Sequence, residues 1–82
     1  MMLTFIKQDR EGGGSPICML EGIGYKNRKT MQALGWTWIR GAGCNGVWEA
    51  PSEEVWQHAL DNWQGPVSEY HRPIGGEAVR VR

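Results

Sequence analysis

The hydrophobic positions of the chain fall into short runs separated by glycine, proline and charge. Leu3-Thr4-Phe5-Ile6 predicts a first strand, and Ile17-Cys18-Met19-Leu20 a second one buried on both faces. Between them, residues 8–16 contain Gly12-Gly13-Gly14-Ser15-Pro16, a composition that holds no regular structure and predicts a mobile loop. Asn27 offers an N-cap oxygen to a short helix over Arg28 to Leu34, with Met31 and Leu34 on its inner face and Gly35 as its stop. Trp36, Trp38 and Arg40 then alternate with Thr37 and Ile39, the period of a strand. Asn45-Gly46 supplies turn chemistry before the returning run Val47-Trp48-Glu49-Ala50, which Pro51 ends.

Ser52 is the expected cap of a second helix with Glu53 and Glu54 in its first turn, where carboxylates favour the positive end of the helix dipole. Its apolar stripe is Val55, Trp56, Ala59, Leu60 and Trp63, and Gly65-Pro66 stops it. Residues 66–82 contain Pro73 and Gly75-Gly76 and read as a loose tail or a late edge strand. The expected fold is therefore α+β: a small antiparallel sheet of three to five strands, a short helix and a longer amphipathic one. The order is roughly β-β-α-β-β-α-(β), in one domain over 1–82 with a compact core at 17–65.

Length supports a single core, because a chain of 82 residues buries only about 60% of its unfolded surface. Five tryptophans are a large share of what so small a core can hold, so their placement carries most of the information. Nine basic and nine acidic residues cancel, which argues against a bulk polyanion binder, yet the charges are segregated. Residues 22–48 hold Lys26, Arg28, Lys29 and Arg40 without an acid. Residues 49–69 hold Glu49, Glu53, Glu54, Asp61 and Glu69 without Lys or Arg.

The stretch from Gly24 to Trp38, followed by Trp48-Glu49-Ala50-Pro51, resembles a small accessory domain of phage and plasmid proteins. There a basic helix ends in Leu-Gly, a Trp follows, and a second Trp stands on the returning strand just before a Pro. The resemblance implies structural roles for Leu34, Gly35, Trp38 and Trp48. It also implies a setting beside primases, nucleases and antirestriction proteins; the lack of a membrane-length apolar run and of a leader-like pattern at Met1–Lys7 reads as a location in the cytoplasm of a host cell.

Two contact surfaces are expected. Lys26, Arg28, Lys29, Trp36, Trp38 and Arg40 combine cations with aromatics and suit a protein partner or nucleic acid. Glu49, Glu53, Glu54 and Asp61 form an acidic face able to compete for a basic groove. Trp36 and Trp38 are open between core and contact surface, whereas Trp48, Trp56, Leu60 and Trp63 are assigned to structure. Gly22-Ile23-Gly24 before the basic helix could help hold an anion.

His58, His71, Cys18 and Cys44 lack metal-ligand spacing, and no nucleophile has an adjacent base with an orienting third group, so neither metal, cofactor nor catalytic residue is expected. No apolar run is long enough for a membrane span. The reading is a non-catalytic binder that occludes a surface of nucleic-acid-handling or host-defence machinery, with direct nucleic-acid binding as the alternative. Its oligomeric state is left open.

Overall fold

The computed structural model describes residues 1–41 and 46–82. The chain forms β1 (Leu3–Gln8), β2 (Ile17–Glu21), a 3-10 turn (Tyr25–Asn27), α1 (Arg28–Ala33), β3 (Thr37–Ile39), β4 (Val47–Glu49), α2 (Glu53–Asn62), β5 (Val67–Arg72) and β6 (Val79–Arg80). The strands make one six-stranded sheet in the order β3-β4-β2-β1-β5-β6. The α+β class matches the expectation, but the sheet is larger and mixed. Its interior pair β1 and β5 is parallel, with register Leu3↔Val67 through Gln8↔Arg72. The other neighbours are antiparallel.

The parallel pair explains the position of α2. β4 and β5 run in the same direction, so the chain must cross over between them, and a helix is the usual means. α2 makes that crossing over β2 and β1. Phe5 meets Trp56 edge to face, with ring centres 5.8 Å apart, and the Trp56 indole N–H donates to the Met19 carbonyl at 2.9 Å. Phe5, Trp48 and Trp56 are fully buried, and Leu3, Cys18, Leu20, Met31, Trp36 and Leu60 complete the core. The core therefore takes in β1, outside the 17–65 expected, and residues 66–82 supply the interior strand β5 as well as a late edge strand, β6.

β5 was hard to foresee because Val-Ser-Glu-Tyr-His-Arg has no apolar alternation: Val67 and Tyr70 lie on opposite faces. Its backbone ladder to β1 holds it, helped by buried Ser68 sharing a hydrogen bond with Thr4 at 3.1 Å. On its other side the Arg82 guanidinium bonds Glu69 at 2.7 Å, which ties down the C-terminus.

Local signals acted unevenly. Ser52 Oγ accepts from the Val55 N–H at 3.2 Å, so Ser52→Ala should lower stability by about 1 kcal/mol in thermal denaturation. Asn27 makes no side-chain cap, because the 3-10 turn already leads the backbone into α1. The end of α1 is a Schellman motif. The Trp36 N–H reaches back to the Met31 carbonyl and the Gly35 N–H to Gln32, both at 3.0 Å, with Gly35 at φ +91°. This turn explains the Leu-Gly-Trp sequence: glycine takes the left-handed position, and the chain leaving it drives Trp36 back toward Met31.

Candidate binding surface

Both helices lie on the sheet face that carries Phe5, Leu20 and Trp48. At the β3–β4 end of that face an aromatic cluster joins the 3-10 turn to the hairpin. Trp38 and Trp48 are cross-strand partners with centroids 5.0 Å apart, and Tyr25 lies 5.4 Å from Trp38 and 6.4 Å from Trp48. The Trp48 indole N–H donates to the Ile23 carbonyl at 3.0 Å, fixing the segment before α1 against the sheet. Gly22-Ile23-Gly24 is thus anchored in this cluster through Ile23.

Trp36 and Trp38 are not on one strand, though both belong to or pack against the same core. β3 begins at Thr37, so Trp36 belongs to the turn leaving α1 and is only 4% exposed, in the core. Trp38 is partly exposed, on the edge of the aromatic cluster. Leu34, expected on the inner face of the helix, is 60% exposed. α1 ends at Ala33 and Leu34 has left helical geometry (φ −89°, ψ 3°), so its spacing from Met31 no longer turns it inward. Gly35 closes α1, and Trp48, Trp56 and Leu60 are buried; Trp63, expected on the helix stripe, lies just past the end of α2 at Asn62 and is partly buried, its indole N–H bonded to the Pro66 carbonyl at 2.9 Å.

The two charged surfaces differ. Glu53 is bonded to Lys7 at 2.7 Å, and Glu49 lies 4.0 Å from Arg10, so two of the four acidic-face carboxylates already have cations within the chain. Glu54 and Asp61 are exposed, and Asp61 accepts from Gln57 at 2.9 Å. On the basic side, Lys26, Arg28, Lys29 and Arg40 are all exposed and none has an ion-pair partner among the described residues. The Arg28 guanidinium sits 5.1 Å from the centre of the Tyr25 ring. Tyr25, 48% exposed, was not singled out from the sequence; its only signal was its position three residues before Arg28.

At the other end of α1, Leu34 and Trp36 face Val55, Ala59, Glu54 and His58 of α2 across an apolar groove of about 540 Å³. One short helix therefore carries cations at its start and opens onto an apolar groove at its end. His58 and His71 are apart, the first against Asn62 and the second 3.0 Å from Asp9. Cys18 is a buried free thiol, and burial pushes its pKa up. Cys44 and the turn residue Asn45 lie outside the described residues. Among the described residues no cluster of three or more His, Cys, Asp or Glu could hold a metal, and no helix is long and apolar enough to cross a membrane.

Lys7 is the charged group most closely tied to the core. It lies over the Trp56 ring at 5.1 Å, and its hydrogen bond to Glu53 raises its pKa above the ordinary 10.5, against the opposing effect of burial. A raised lysine pKa stabilises the fold below the unfolded value and ceases to do so as pH rises through the folded one. Glu53→Gln should therefore melt below the wild type at pH 7 to 10 by about 1 kcal/mol or less, as for a partly exposed pair. The gap should close above about pH 10.5.

The sequence matches no family model, and neither a curated protein nor a solved structure shows significant similarity to it.

Proposed function

We propose that this protein is a non-catalytic binding protein that occludes an acidic surface of nucleic-acid-handling or host-defence machinery, using the exposed side of α1. The carrying observation is the asymmetry of charge. The carboxylates of the acidic face are partly neutralised within the chain, whereas Lys26, Arg28, Lys29 and Arg40 are exposed without ion-pair partners among the described residues. Exposed cations at the start of α1, with Arg28 against the half-exposed Tyr25, and an apolar groove at the helix's other end offer a partner both charge complementarity and an anchoring pocket. The resemblance to phage and plasmid accessory domains supplies the setting: such a protein acts by covering a surface.

A second reading, direct binding of single-stranded nucleic acid, is favoured by the Tyr25 ring with Arg28 against it, since bases stack on such rings while cations meet phosphates. Titration of labelled single- and double-stranded oligonucleotides at two salt concentrations separates the two. Salt-sensitive binding at micromolar protein supports the second reading, and its absence leaves the protein partner. The first reading predicts that Leu34→Glu, which puts a carboxylate into the groove, abolishes capture of a partner while leaving the fold intact by circular dichroism. Undiminished capture by that variant would exclude the groove from the interface.

A further inference from the structure

Both helices cover one face of the sheet, and no described helix crosses the other. Strand alternation and register place one continuous row on that outward face, which beyond Thr37 of the edge strand β3 runs Glu49, Met19, Ile6, Tyr70 and Arg80, on β4, β2, β1, β5 and β6 in turn. Ile6, Met19 and Tyr70 are partly exposed, unlike Phe5, Cys18 and Leu20, which the same strands bury beneath α2. The row reads acid, three apolar residues, base. Such a sequence is its own complement when reversed.

We propose that this face is a self-association surface that takes a second copy of the chain about a two-fold axis running along β1. Sheets packed face to face align their strands within about 30° at a separation of about 10 Å. An axis over β1 sets Ile6 against Ile6 of the second copy. It sets Met19 against Tyr70, a favourable sulfur–aromatic pairing, and Glu49 against Arg80, each twice. Arg80 has no ion-pair partner among the described residues, and its pairing with Glu49 of the second copy would compete with the 4.0 Å approach of Arg10.

Five strands about 4.8 Å apart and about five residues long span roughly 19 by 17 Å, or about 330 Å² of projected area per copy. Twice that is well below the roughly 1,600 Å² of a standard interface, so the dimer is weak and concentration-dependent. It leaves the α1 surface of both copies free, because that surface lies on the opposite side of the sheet.

Sedimentation equilibrium of the full chain from about 10 µM to about 1 mM tests this, the range in which an interface of this size associates. Wild type should rise from its monomer mass of 9.2 kDa toward twice that value. Glu49→Arg and Arg80→Glu should each stay monomeric, since each sets like charges together. An equimolar mixture of the two should recover dimer, because every cross-pair in the heterodimer is then Arg with Glu, and E49R/R80E should dimerise by itself. A wild type monomeric throughout overturns the proposal. So does association of the single variants equal to wild type, or failure of the mixture and the double variant to recover it, with all chains folded by circular dichroism.

Discussion

Replacing Trp48 with alanine is expected to cost about 3 to 5 kcal/mol, the range for truncating a fully buried tryptophan. A chain of this length has a total stability of about 4 to 12 kcal/mol, so the variant should be at or near the edge of unfolding at 25 °C. Trp48 is a keystone because it serves three elements at once. It lies between Leu20 and Trp38 in the ladder, approaches Tyr25, and holds the segment before α1 through its bond to the Ile23 carbonyl. Without the indole that carbonyl loses its donor and the basic turn loses its anchor. Trp38→Ala should cost only about 1 to 2 kcal/mol, since a partly exposed ring forfeits less burial. Urea unfolding followed by far-ultraviolet circular dichroism checks both, and equal losses would contradict the distinction between them.

Gly46→Ala should be among the more damaging of the small substitutions. Gly46 has φ +130°, and a Cβ there would stand 2.5 Å from Trp38 Cζ2 and 2.8 Å from the Ile39 carbonyl oxygen. Backbone strain and overpacking each cost about 1 to 3 kcal/mol, giving roughly 3 kcal/mol together. Gly13 makes the control: its φ is +88° but a Cβ there meets nothing within 4 Å. Gly13→Ala should therefore cost about 1 kcal/mol, the backbone part alone. The expected signature of Gly46→Ala is a changed near-ultraviolet spectrum, because the Trp38 ring must move, together with a lower urea midpoint. A midpoint like that of Gly13→Ala would show that the hairpin yields freely at this point.

These two positions show what the sequence could reveal. Local signals were legible: the amphipathic stripe of α2, its Ser52 cap, the stop at Gly35 and the burial of Trp48 and Trp56 follow from spacing and residue type. What was hidden depended on distant parts of the chain. β5 is polar, and its ladders with β1, more than sixty residues away, and with β6 make it a strand. Trp36 matched the alternation of a strand, but a backbone turn of α1 decided where its ring went. The same turn left Leu34 outside the helix and made it exposed. The basic surface was legible as charge, whereas the contrast with the acidic face was not, because it rests on Lys7 and Arg10, which the fold brings to Glu53 and Glu49 from a different segment.

The central claim is that the exposed side of α1, and not the acidic face of α2, makes contact with a partner. Its most direct measurement is quantitative capture from a bacterial extract by three folded forms: wild type, a Lys26→Glu, Arg28→Glu, Lys29→Glu triple variant, and a Glu54→Lys, Asp61→Lys double variant. Glu54 and Asp61 are chosen because neither has an ion pair among the described residues. The account predicts that the partner enriched by wild type is lost from the triple variant, is retained by the double variant, and elutes as salt is raised. Retention by the triple variant with loss from the double variant would contradict it.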